Sequence, residues 1–258
     1  MYKSKIFDPF SDFDRNGYLR NTSKIKDIHS VKQMEHALFL ANILDAMRYL
    51  EARPHLDYQA LKQTHAKLFE DFYPWAGKDR EETNPTLAIT KGRVAFAHPK
   101  DIRRSVEYGL DLATRPGSMP GKAGEILGLL AFAHPFLDGN GRAIMIFFGE
   151  LCRRAGFSID WHRTRKDDYL TALTDEIENP AKGILDQYLY PFVASPLNVT
   201  AYAQALGELS GLSGMERFEQ EIAHGTDILY RPVDAPEVIA AYSNYTANRP
   251  YLSDPEPL

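Results

Sequence analysis

The chain has 258 residues, a net charge of −5 and a hydrophobic content of 44%, enough apolar side chain for one large domain with a full core. The acidic balance, with a pI of about 5.9, argues against a broad nucleic-acid surface. No run reaches the length of a membrane span, the N-terminus lacks the apolar stretch of a signal peptide, and a single cysteine, Cys152, excludes an internal disulfide. The expected compartment is therefore the cytoplasm, with export by a dedicated secretion system compatible with it.

Residues 1–29 are mixed and aromatic, with Phe7, Phe10, Phe13 and Tyr18, and are expected to wrap a core that begins near residue 30. Ser30 is the expected N-cap of a helix running to about Glu51. Its apolar face takes in Val31, Met34 and Leu38, with Ile43, Met47 and Leu50 beside them. His29 and His36 stand seven apart with no third ligand in reach, so they read as surface or capping residues. Asp57 caps a second helix through Phe72, in which His65 reads as a core or helix-surface residue. Trp75 is large enough to anchor a core, and Gly77 ends the helix.

Thr86–Thr90 and Arg93–Ala97 alternate with period two around Lys91-Gly92, which predicts a hairpin with a two-residue turn. Two strands alone form no sheet core. The hairpin should stand on a helical body with a free edge that an extended peptide could pair with. Pro99 and Asp101 open the next helix, with Ile102, Val106 and Leu110 on one side. Ser118 or Pro120 then starts a helix that is apolar on nearly every face and belongs at the centre of the core.

That helix should end at His134, because Pro135 disfavours α conformation in the residue before it. The stretch His134-Pro135-Phe136-Leu137-Asp138-Gly139-Asn140-Gly141-Arg142 follows, a polar loop ahead of a second apolar run, Ala143–Phe148. Phe136 and Leu137 can anchor the loop by burial. Gly139 and Gly141 can take positive φ and leave room for a ligand, and Asn140 tolerates left-handed geometry. Three successive amides in such a turn form an anion nest. Arg142, expected to start the second central helix, adds a guanidinium to a positive dipole end. Together these describe a phosphate site. Asp138 would repel phosphate unless a hard divalent cation sits between, as Mg²⁺ held by one carboxylate and substrate phosphates does. His134 is the one side chain in the loop suited to take a proton near neutral pH. These parts suggest that a hydroxyl, deprotonated by His134, attacks a phosphate of a Mg-nucleotide.

The loop resembles the Fic-family signature, H-P-F-x-[D/E]-G-N-G-R-x-x-R, and matches it at every position through Arg142. The resemblance implies a mainly α fold, a helical bundle with a small β-hairpin flap, covering residues 30–194. It implies a protein adenylyltransferase that moves AMP from ATP to a Ser, Thr or Tyr hydroxyl of a target protein. By that analogy His134 is the base and Asp138 binds Mg²⁺. Gly139, Asn140 and Gly141 hold phosphates through their amides, and Arg142 supports them. The flap at Thr90, Lys91 and Gly92 docks the target chain. One departure is clear: the family's second arginine falls at Met145. The related Doc toxins, which phosphorylate their target, also lack an arginine there, but carry Lys where this chain has Gly141. The alternatives are a Doc-like kinase, a transferase using another nucleotide donor, or a non-catalytic module binding nucleotide and peptide.

Beyond the loop, the second central helix should run to Ala155, with Gly156 stopping it. A short extended piece follows at Phe157–Trp161, then helices from Asp167 and over residues 181–193. Pro196 marks a boundary. Residues 195–258 are expected to form a helical extension and, from Arg231 onward, an extended proline-rich tail. The inhibitory pattern of Fic proteins, [S/T]-x-x-x-E-[G/N], occurs at Thr174–Asn179, but inside a core helix, and reads as chance similarity. Control is expected from a small antitoxin or another partner, or from residues 198–258, with its absence as the remaining alternative.

Overall fold

A computed structural model of the chain describes residues 20–91, 94–212 and 228–253. The N-terminal aromatics Phe7, Phe10, Phe13 and Tyr18 and the hairpin turn at Gly92 lie outside the described residues. The long first helix, α1 (Ile28–Glu51), starts one turn earlier than Ser30 predicts. Asp27 is the N-cap, and its carboxylate accepts from both the amide and the hydroxyl of Ser30, at 2.8 and 2.7 Å. The buried stripe of α1 is Val31, Glu35, Phe39, Ile43, Ala46, Met47 and Leu50, while Met34 is exposed. A charged residue thus occupies a position on the inward face, which a search for apolar spacing passes over.

Helix α2 (Tyr58–Phe69) is capped by Asp57 as expected, and the short α3 (Arg80–Thr83) by Asp79 in a capping box with Glu82. Helix α4 (Ile102–Thr114) follows a 3₁₀ turn that starts at Pro99. The centre of the molecule is α5 (Ala123–Ala133) and α6 (Asn140–Arg154), whose side chains are buried nearly all round. The N-terminal amides of α5, at Gly124 and Glu125, are met by the Asp186 carboxylate at 2.6 and 3.1 Å. Asp186 lies on α8 (Ile184–Leu189), which with α7 (Lys166–Glu178) and α4 encloses α5. Helices α1 and α2 pack on α6, and α9 (Val199–Gly207) packs on α1.

Among the described residues, two small sheets complete the fold. Strand β1 (Leu87–Lys91) pairs antiparallel with β2 (Val94–Ala95), which is the expected hairpin. Strand β3 (Ser158–Ile159) lies in the extended piece expected at Phe157–Trp161, and it pairs antiparallel with β4 (Val193–Ala194), a partner that the sequence does not announce. The larger sheet corrects one expectation. The other edge of β1 is not free: β5 (Ile228–Pro232) pairs with it antiparallel along all five residues, giving the order β2-β1-β5. The extended tail is a second correction. Pro236 sits at the first position of a helix, where a missing amide costs nothing, and α10 runs from Pro236 to Ala247. Tyr245 and Arg249 are then buried against Phe132 of α5. Among the described residues no helix is long and apolar enough to cross a membrane.

Candidate active site

Helix α5 ends at Ala133, and His134 turns the chain with φ 42° and ψ 60°. A non-glycine residue in this left-handed region costs on the order of 1 kcal/mol and needs support from its surroundings. Arg80 supplies it. This buried guanidinium donates from Nε to His134 O at 2.8 Å, and from one Nη to Ala97 O at 2.7 Å and Ala133 O at 3.3 Å. The Arg80 amide also donates to Pro135 O at 2.8 Å. One side chain therefore satisfies carbonyls that the end of α5 leaves without helical partners and ties the loop to the strand leaving the flap. Burial lowers its pKa to about 10, still far above neutrality. The His134 imidazole lies flat on Phe96, with ring centroids 3.8 Å apart.

The loop is fixed from below. Phe136 is fully buried and stacks on His65 at 3.9 Å. Asn140 closes the turn with two bonds to Phe136, its Oδ1 accepting from the amide at 2.8 Å and its Nδ2 donating to the carbonyl at 2.7 Å. His65 is the core residue that its helical setting suggests. Its Nδ1 accepts from Gly77 N at 3.0 Å, so Nε2 carries the proton and donates to Asp138 O at 2.9 Å. Burial depresses its pKa to about 3, which keeps the ring neutral.

Helix α6 begins at Asn140, two residues before Arg142, because Gly139 takes the left-handed cap position at φ 75°. A Cβ there would lie 2.6 Å from the Phe69 ring, so glycine is required twice over. At Gly141 a Cβ would meet no atom within 4 Å. Asn140 and Gly141 are thus first-turn residues of a helix, and only Gly139 adopts the positive φ expected of the pair. The first main-chain bond of the turn runs from Ala143 N to Gly139 O at 3.1 Å. The amides ahead of it have no partner within the helix, and of these Gly139 N is taken by Asp138 Oδ1 at 2.6 Å.

Four charges meet beside this helix end. Asp138 Oδ2 is 2.5 Å from Lys32 Nζ, and Lys32 Nζ is 2.9 Å from Glu35 Oε2. Glu35 Oε2 is also 3.1 Å from the Arg142 guanidinium, and Glu35 Oε1 accepts from the Tyr73 hydroxyl. Burial acts to raise the Asp138 pKa, but the Lys32 ammonium and the Arg142 guanidinium outweigh it and hold the carboxyl well below its usual range. The Arg142 guanidinium lies over the Phe69 ring at 4.9 Å, and its remaining Nη is buried without a partner. Among the described residues no cluster of three or more His, Cys, Asp or Glu could hold a metal by itself. One ionised, hard carboxylate oxygen beside a helix N-terminus has the chemistry to hold Mg²⁺ shared with phosphates once Lys32 moves off it.

The structure gathers His134, Asp138, Gly139, Asn140, Gly141 and Arg142 at one helix junction. Thr90 and Lys91 lie on β1, Lys91 pairing with Val94 on one side and Ile228 on the other. Met145 is buried in the core, 6% exposed, and its carbonyl accepts from the Tyr202 hydroxyl at 3.2 Å. Lys32, Glu35, Tyr73 and Arg80 are members of the site that motif reading does not single out. Glu35 alone had a signal in the sequence, a charge four residues from Val31 and four from Phe39 on an otherwise apolar stripe.

Residues 55–152 match the Fic/DOC family. The chain is 31% identical over 173 residues to the protein adenylyltransferase VbhT of Bartonella schoenbuchensis, covering 64% of this chain and 35% of that one. It is 28% identical over 166 residues to a probable protein adenylyltransferase, y4lH, of Sinorhizobium fredii, covering 60% and 81%. The chain thus spans about a third of the length of the first relative and four fifths of the second. Among solved structures it resembles the N-terminal Fic domain of a putative cell filamentation protein from Bartonella quintana with bound ADP, at 20% identity and a TM-score of 0.59, covering 76% of this chain and all of that one. A BepC structure from Bartonella tribocorum with bound AMPPNP gives a TM-score of 0.57 at 19% identity, covering 72% and 97%.

Proposed function

We propose, from the premise that residues 55–152 of this chain form a domain of the Fic/DOC family, that it is a protein adenylyltransferase moving AMP from Mg-ATP to a hydroxyl of a target protein. The observation that carries this reading is the N-terminus of α6, which combines first-turn amides that the helix leaves without an internal partner, open space at Gly141 and a buried, unpaired Nη of Arg142, eight residues or fewer along the chain from His134. Amides and guanidinium bind and orient the polyphosphate. His134 takes the proton of the attacking hydroxyl, and its orientation is set by Phe96 above and Arg80 at its carbonyl. Asp138 would hold Mg²⁺, which when bound offsets the charge between that carboxylate and the phosphates. Phe136, Asn140 and His65 hold the loop rigid so that these groups are placed before the donor arrives. The partner in this reading is a target protein brought in along the flap, with an antitoxin-like protein as a separate source of control.

The test is transfer from ATP labelled at the α- or the γ-position, in a cell lysate with Mg²⁺. Label from the α-position should appear on protein and fall by about 10²-fold or more in His134→Ala, the usual scale of general-base loss. Label from the γ-position alone would replace this reading with phosphoryl transfer, the option that Met145 keeps in view.

A further inference from the structure

Strand β5 fills the edge of β1 that the sequence leaves open for another chain. Pairing runs from Leu87 with Pro232 to Lys91 with Ile228, and Val233 N adds a bond to Thr86 O at 3.0 Å. The middle pair is Ile89 with Tyr230. On the other side of Ile89 stands Phe96, whose amide donates to Ile89 O at 3.0 Å. Residues opposite one another across strands project from the same face, so Tyr230, Ile89 and Phe96 form one row. Phe96 lies flat on the His134 imidazole. Tyr230, two strand spacings or about 10 Å along the row, faces the same loop, and its hydroxyl donates to Leu137 O at 3.3 Å. A main chain paired on the flap thus holds a phenol at the loop that carries His134 and Asp138. A serine or threonine at this register would stop several ångström short.

The strand is tethered from its C-terminal side. Tyr245 of α10 accepts from Ala95 N at 3.2 Å, Arg249 lies over Phe132 at 3.8 Å, and Tyr251 stacks on Tyr108 at 4.3 Å. Tethering keeps β5 at the edge at high effective concentration, with no second molecule needed. A phenol is protonated near neutral pH, so Tyr230 needs a base before it can attack.

We propose that Ile228–Pro232 stands in the place of a target segment and that Tyr230 is an intramolecular acceptor of AMP, an inference that rests on the transfer reading above. The Tyr230 oxygen bonds to the α-phosphorus of ATP, and the bond from that phosphorus to the bridging oxygen breaks. Pyrophosphate leaves, and the phenol proton passes to His134. It follows that the external target this edge suits is an extended segment presenting a tyrosine opposite Ile89, and that it must displace β5.

The experiment is intact mass and peptide mapping of the purified full chain after ATP and Mg²⁺, alongside α-labelled transfer to lysate proteins. The expected result is one AMP per chain, on Tyr230, at a per-chain rate unchanged over a wide dilution series. Tyr230→Phe, which keeps the ring and the strand register, should lose this label while still labelling lysate proteins, and His134→Ala should lose both. Label that persists in Tyr230→Phe, or a rate that rises with protein concentration, overturns the assignment. Lysate proteins labelled with none on Tyr230 also overturns it, and leaves the transfer reading standing. No AMP on any protein removes both.

Discussion

Gly139 and Gly141 stand two residues apart in the same motif, yet the structure gives them different duties. Gly139 is a packing requirement, with positive φ and the Phe69 ring against its α-carbon. Gly139→Ala should lose about 1–2 kcal/mol to the left-handed backbone and about 1–3 kcal/mol to overpacking, visible as a lower urea midpoint. Gly141 is helical and meets no atom that a methyl group would touch. Gly141→Ala should therefore unfold no more easily than the parent, with roughly 0.5–1 kcal/mol of helix propensity in its favour. It should nonetheless weaken binding of a non-hydrolysable ATP analogue by about tenfold or more, about 1.4 kcal/mol, in a calorimetric titration. Equal stability loss in the two variants would mean that Gly141 is structural and that the cradle lies elsewhere.

At the scale of elements, α1 is more than a wall of the core. Through Glu35 and Lys32 it sets the charge beside the N-terminus of α6, with Glu35 fully buried between two cations and a phenol. Removing one partner of such a group leaves uncompensated charge in the interior, at a cost of about 3–5 kcal/mol. Glu35→Ala should lower stability by that amount in chemical denaturation and release Arg142 from its fixed position. An equally stable Glu35→Ala protein would show that the four-charge cluster is solvated rather than structural. The same scale explains the flap. Its own two strands are short, and β1 makes its longer pairing with β5, an element more than a hundred residues away in the chain.

For the whole molecule, acid sensitivity should begin above the range in which carboxylates titrate. His65 has a folded pKa near 3 against about 6.5 in the unfolded chain. Between these values the unfolded state binds the extra proton, so stability is full above about pH 6.5 and falls as the pH drops toward 3. The slope is about 1.4 kcal/mol per pH unit once well inside that window. Asp138, whose folded pKa is depressed, adds its loss only below about pH 4. Urea unfolding from pH 7 down to pH 4 should show this decline, and His65→Gln should flatten it even if the variant is less stable throughout. A parent whose stability is level from pH 7 to pH 5 would place the His65 proton elsewhere.

The sequence by itself determined the helical class, the two central helices and the loop between them. All three are local: apolar residues on every face, a proline after His134, and glycines and an asparagine at fixed spacing say what a short stretch must do. It also identified the hairpin, whose alternation is local as well. What only the tertiary structure decided is who stands beside that loop. Arg80, Lys32 and Glu35 carry no motif, and they reach the site because α1 packs against α6 and the Arg80 side chain bonds the carbonyls at the end of α5. The strand on the flap's open edge was hidden for the same reason. Its prolines and tyrosines describe an extended tail, and no periodicity in a segment names the distant edge with which its main chain will pair. Pairing of this kind is a long-range choice, made by hydrogen bonds that every sequence can offer and settled by where α10 and Arg249 are buried.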